Sequence, residues 1–204
     1  MTEQIKPFPL MDDAMINSLS RLTATLVLAA APAVLALQPS YAANHYRIDP
    51  ASHIGFHVGQ AGDGAGISGT FPEVSGSFDI DRNDLAHSSV AVTLRAGSIT
   101  TGQGRIDTFL RSNAVFDATN HPEITFRSTR VVPTGPKSAT IEGILTARGQ
   151  SRKEAFQATL VDEGGARMAF HVTGDIFRMP YGMGIGVPIY SNVVTFDMQL
   201  QGRR

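Results

Sequence analysis

From residue 45 onward, apolar and polar residues alternate with period two in one segment after another. Ile54, Phe56 and Val58 are separated by Gly55 and His57, and Phe78 and Ile80 by Asp79. Val90, Val92 and Leu94 enclose Ala91 and Thr93, and Ile124 and Phe126 enclose Thr125. Ile141, Gly143 and Leu145 share one side, as do Phe156, Ala158 and Leu160. Met168, Phe170, Val172 and Ile176 oppose His171, Thr173 and Asp175, and Val194, Phe196, Met198 and Leu200 oppose Thr195, Asp197 and Gln199. Successive side chains of a strand point to opposite faces, so this period predicts about eight strands, each with one apolar face.

Turn-forming clusters separate the segments: Asp81-Arg82-Asn83-Asp84, Pro133-Thr134-Gly135-Pro136, Arg148-Gly149-Gln150-Ser151 and Glu163-Gly164-Gly165. Short strands joined this way predict an all-β fold, an antiparallel barrel or sandwich, over alternating strands and helices. One segment has a different period. In Gly104 to Ser112, Ile106, Phe109 and Leu110 recur at i, i+3 and i+4, the spacing of a helix face. Asp107 falls near the start of that helix, where the dipole favours an anion. It is expected to cap the helix, with Arg111 pairing with a neighbouring carboxylate.

Tyr181 to Tyr190 has neither turn composition nor a clear strand pattern. Gly182, Gly184 and Gly186 alternate with Met183, Ile185 and Val187. Two readings stand: a mobile apolar gate, or a strand with glycines at bulges.

The N-terminal region changes where the fold begins. Arg21 precedes an apolar run from Leu22 to Leu37, and Ser40-Tyr41-Ala42 supplies small residues at the −3 and −1 positions of a cleavage site. That combination predicts a secretory signal peptide, with translation starting at Met1, Met11 or Met15 and residues 1–42 lying outside the domain. The domain is then 43–204, and the expected compartment is the periplasm. No apolar run long enough for a membrane-spanning helix lies beyond residue 43. The formal net charge of −1 becomes zero without residues 1–42, which argues against a nucleic-acid partner. Cysteine is absent, which removes thiol catalysis, disulfides and thiolate metal sites.

A group of motifs carries a family resemblance. Tyr46-Arg47-Ile48-Asp49-Pro50 opens it, and Ser98-Ile99-Thr100-Thr101-Gly102 leads to Arg105-Ile106-Asp107, Leu110-Arg111-Ser112 and Phe116-Asp117-Ala118. Pro122-Glu123-Ile124-Thr125-Phe126-Arg127-Ser128-Thr129 follows at once, with Gly143-Ile144-Leu145-Thr146-Ala147-Arg148-Gly149 and Ile176-Phe177-Arg178 further on. From Tyr46 to Gln201 the chain resembles the YceI-like family of exported lipid-binding proteins. The resemblance implies an eight-stranded antiparallel lipocalin-like barrel with one short helix, whose interior takes an isoprenoid or other long-chain fatty ligand. Phe56, Phe78, Phe109, Phe126, Phe170, Arg178, Met183 and Phe196 are the candidate ligand-binding residues. A second copy of the chain is a candidate partner. No cofactor is expected.

Other motifs are weaker. Gly64-Ala65-Gly66-Ile67-Ser68-Gly69 matches a dinucleotide fingerprint, but Thr70-Phe71-Pro72 follows where a helix is required, so a glycine-rich connector is expected. His53 and His57 on one strand stand roughly 13 Å apart at about 3.3 Å per residue, too far to share a metal ion. His45, His87, His121 and His171 lie in separate segments, so no metal site is expected. Asp107, Arg111, Asp117 and His121 gather around the helix, either as a polar headgroup or acid–base set or as structural contacts. No nucleophile elbow is present. A binding protein is therefore the first reading. The alternatives are a lipid-modifying enzyme using the same pocket and a structural or stress protein whose barrel is filled.

Overall fold

The computed structural model describes residues 43–204; the expected signal segment 1–42 lies outside them. Ten strand segments form one sheet: β1 (Asn44–Ile48), β2 (His53–Gln60), β3 (Ile67–Thr70), β4 (Val74–Ile80), β5 (Ser89–Arg95), β6 (Glu123–Gly135), β7 (Ser138–Ala147), β8 (Gln150–Gly164), β9 (Arg167–Phe177) and β10 (Tyr190–Arg203). One α-helix, α1 (Gly104–Arg111), lies between β5 and β6.

Ten segments amount to eight strands. β1 and β2 run consecutively along β10, with Ile48 opposite Gly202 and His53 opposite Gln199. On their other side β1 pairs with β4 and β2 with β3. Asp49-Pro50 and Phe71-Pro72 interrupt the two long strands, as proline does by removing a ladder donor. Each remaining strand pairs with its sequence neighbour, all antiparallel, and β1–β10 closes the circle. Closure leaves no long unpaired edge in the wall.

The alternation sets which face is inside. Along β10, Thr195, Asp197 and Gln199 are exposed, whereas Phe196 and Met198 between them are partly buried and Val194 and Leu200 on either side are buried. The Arg148-Gly149 turn joins β7 to β8 with both residues at positive φ (49° and 72°), the hairpin geometry that matches strand twist. The strands β6 and β8 run further than the Pro133 to Pro136 and Glu163 to Gly165 signals alone suggest, ending at Gly135 and Gly164.

Connections at one end are the hairpin 61–66, the α1 segment 96–122, the turn 148–149 and the loop 178–189. The other end holds segment 81–88, two tight turns and both ends of the described chain. A floor closes this second end. The Tyr46 ring stacks on Phe78 with centroids 5.2 Å apart, Phe170 meets Phe78 edge-on at 5.4 Å, and the Arg204 guanidinium lies over Tyr46. Glycine makes room for these and other inward rings. A methyl group at Gly202 would meet Phe78, one at Gly69 would meet Phe56, and one at Gly174 would meet Phe156.

Candidate functional site

Between the floor and the α1 end, the barrel encloses a cavity of about 240 Å³. Its wall is the inner face predicted by the alternation: Ile54 and Phe56 of β2, Val92 of β5, Phe126 of β6, Phe156 of β8 and Phe196 of β10 all line it. The rings touch one another around the wall, with Phe126 edge-on to Phe156 at 5.2 Å and Phe156 edge-on to Phe196 at 6.3 Å. Arg178 is the one charged side chain in the lining.

Of the eight candidate residues, Phe56, Phe109, Phe126, Arg178, Met183 and Phe196 line this cavity. Phe78 and Phe170 do not; they face inward but belong to the floor with Tyr46. Alternation assigns a side chain to the inner face without stating its height along the barrel axis, which is what separates the two groups. The lining also includes Phe71, Val115 and Phe116, which lie outside the strands and carried no periodic signal.

The helix end is built by contacts that sequence spacing did not reveal. Asp107 is buried and accepts hydrogen bonds from the Thr101 amide and hydroxyl, each at 2.7 Å, and from the Thr100 hydroxyl at 3.0 Å. The Thr101 hydroxyl and amide hold its carboxyl below the usual carboxylate range, with smaller help from Thr100 and the charge of Arg111. Asp107 thus ties the helix to the preceding segment, whereas the N-cap position is Gln103 without a side-chain bond. Arg111 donates to the Ile99 carbonyl at 2.6 Å in place of the expected carboxylate. Asp117 holds Asn120, and His121 packs near Gly149, so the four polar residues do not converge on one point. His53 and His57 lie exposed on β2, with His57 bonded to Ser68. The glycine-rich segment is the β2–β3 hairpin, as expected.

The Tyr181 to Tyr190 segment departs from the strand reading of its sequence. Residues 178–189 contain no strand, which overturns the bulged-strand reading; after a short turn at Met179–Tyr181, Gly182 takes the left-handed conformation and the chain loops back to β10, which begins at Tyr190. Hydrogen bonds tie the segment to the residues around it. Arg178, only 8% exposed, donates to the carbonyls of Ser191 (2.8 Å), Ile185 (2.9 Å), Tyr190 (3.2 Å) and Met183. Burial pushes the Arg178 pKa down from its ordinary value. The Tyr181 hydroxyl donates to Glu154 at 2.7 Å, and burial, with Glu154 beside it, pushes the phenol pKa far up. Arg152 holds the Pro180 carbonyl at 3.0 Å, and Arg148 holds those of Gly182 and Asn113. Met183 is consequently buried against the cavity, while Ile185 lines it and is still 49% exposed. Phe109 on α1 does the same at 44%. Side chains that both line a cavity and reach solvent define its mouth.

The model of the YceI-like domain matches residues 46–202, nearly all of the described chain. The chain belongs to the YceI-like family. A UPF0312 protein of Photorhabdus laumondii is 34% identical over 160 residues, covering 74% of this chain and 82% of that relative. Among solved structures, Burkholderia cenocepacia BcnA superposes with a TM-score of 0.70 at 23% identity, covering 76% of this chain and 98% of that one. A polyisoprenoid binding domain from Saccharophagus degradans gives 0.63 at 15% identity, covering 78% and 97%. At these identities the two structures establish the shared barrel fold.

Proposed function

We propose that this protein is an exported carrier that holds the tail of an isoprenoid or other long-chain lipid inside its barrel. The observation that carries the reading is the cavity: closed at the floor, open past Phe109 and Ile185, and apolar over its wall apart from Arg178. A barrel of eight strands is wide enough either to be filled by its own side chains or to hold one small ligand. Here it is not filled. A volume of about 240 Å³ equals roughly eight water volumes at about 30 Å³ each. Eight methylenes in that space would gain about 6 kcal/mol at roughly 0.8 kcal/mol each, before ordering losses. A longer chain extends through the mouth or makes the wall rings turn aside. The structural neighbour from Saccharophagus degradans, described as polyisoprenoid binding, supports an isoprenoid as the first ligand class to test. The apolar run and Ser40-Tyr41-Ala42 site support delivery to the periplasm.

Titration with geranylgeraniol against a bound naphthalene dye tests the reading, with Ala147→Phe as the comparison. Ala147 is 2% exposed and lines the cavity, so a phenyl ring there occupies ligand space. Saturable one-to-one displacement, lost in a folded Ala147→Phe variant, is the expected result. Equal displacement by both proteins contradicts interior binding, and recovery of a chemically altered prenol points to an enzyme instead.

A further inference from the structure

Seven large apolar side chains are exposed among the described residues, and six of them fall at the mouth end: Phe109 on α1, and Phe177, Met179, Ile185, Val187 and Ile189 between the end of β9 and β10. Val161 is the exception. Solvent-exposed apolar surface concentrated at one place signals an interaction. This surface is continuous with the cavity, because Phe109 and Ile185 belong to both. The hairpin 61–66 is joined to the same rim through the Ala61 amide and the Ile189 carbonyl, 2.8 Å apart.

The charges around the rim are not neutralised. Segments 61–66, 96–122, 148–154 and 178–189 carry six cations (Arg105, Arg111, Arg148, Arg152, Lys153 and Arg178) against four carboxylates. None of the six pairs with a carboxylate among the described residues, where the ion pairs involve other cations. Three of the four carboxylates are already engaged: Asp107 by Thr100 and Thr101, Glu154 by Tyr181, and Asp117 by Asn120. Arg105, Arg111, Arg152 and Lys153 are exposed. An apolar rim set in a collar of unpaired cations has the pattern of a surface that settles into an anionic lipid interface.

We infer that the mouth end docks on an anionic bilayer, so that a lipid tail passes between membrane and cavity without crossing water. The inference rests on the lipid-carrier reading for its purpose, but its test does not. The chain has no tryptophan, so Ile189→Trp places a single reporter on the rim, at a position that does not line the cavity. Its emission is to be followed on adding vesicles of equimolar phosphatidylglycerol and phosphatidylcholine, or of phosphatidylcholine alone. A blue shift with the anionic vesicles, weakened by salt, is expected. In the same reporter protein, Val187→Ser is expected to weaken partition by about tenfold, as removal of a buried apolar side chain does. Arg105→Glu with Lys153→Glu is expected to weaken it by about tenfold or more. All three proteins should displace the naphthalene dye with geranylgeraniol as the wild type does. Absence of a shift with intact prenol displacement overturns docking alone. A shift with no prenol displacement leaves docking standing and overturns the carrier reading. A blue shift that grows with protein concentration without vesicles assigns the rim to a second copy of the chain and overturns the bilayer as its occupant.

Discussion

Arg178→Met removes the cation that organises the mouth while keeping the length of the side chain. In the structure its guanidinium donates to four backbone carbonyls, at 2.8 Å to Ser191, 2.9 Å to Ile185, 3.2 Å to Tyr190, and to Met183. A hydrogen bond to a charged group contributes about 1.5–3 kcal/mol, but the four do not add. Ile185 is half exposed, so water replaces the lost donor there. The Met183 side chain is buried, and its carbonyl is poorly placed to recover a partner. The variant also avoids burying a charge that has no carboxylate beside it, which offsets part of the loss. The net cost is about 3 kcal/mol, which for a domain of this size lowers the melting temperature by roughly 6–12 °C. The loss is local: amide exchange should rise in peptides covering 178–190 and stay unchanged at the far turn 165–166. Arg178→Lys retains the charge but not the planar fork, and should fall between the two. A melting temperature within about 1 °C of wild type, with loop protection intact, would refute the assignment of Arg178 as the staple of this segment.

Gly174→Ala places a methyl group against the Phe156 ring and turns that ring toward the cavity it lines. A loss of about 1–3 kcal/mol by denaturant unfolding is expected, together with weaker prenol displacement. Tyr46→Phe removes the one buried side-chain polar atom without a hydrogen-bond partner among the described residues, so stability should be unchanged or raised by up to about 1 kcal/mol. Asp107 and Asp49 both have carboxyl pKa values held below the ordinary range, Asp107 chiefly by Thr101 and Asp49 chiefly by the Ala51 amide. A depressed folded pKa means that the stabilisation is complete above the unfolded value, about 3.9, and is lost as pH falls through the folded one. Melting temperatures measured from neutral pH to pH 3 should therefore drop less steeply for Asp107→Asn than for the wild type, from a lower starting point.

Period-two alternation identified the inner face of the wall because each strand has solvent on one side and the cavity on the other. That is why Phe56, Phe126 and Phe196 were legible as cavity residues. Position along the axis was not legible, so Phe78 and Phe170 could not be distinguished from them; their height depends on β1–β4 register and on the space above Gly202. Ile106, Phe109 and Leu110 announced the helix correctly, since helical spacing is local. The partners of Asp107 and Arg111 come from the Ile99 to Thr101 segment before the helix, so pairing rules within the helix misassigned them. The 178–190 segment shows the same limit. Its glycines suggest freedom, whereas carbonyl contacts from Arg148, Arg152 and Arg178 hold its first half in place, and these arise only once β7, β8 and β9 are assembled.

The central claim, that the barrel interior carries a lipid tail, is tested most directly by native mass spectrometry of the full chain expressed in a Gram-negative host and purified without detergent. A protein lacking residues 1–42 is expected to carry one stoichiometric adduct, released by organic solvent as an isoprenoid or fatty lipid and absent from a folded Ala147→Phe variant. An adduct-free spectrum at all collision energies, with no mass gained on incubation with geranylgeraniol, would contradict it.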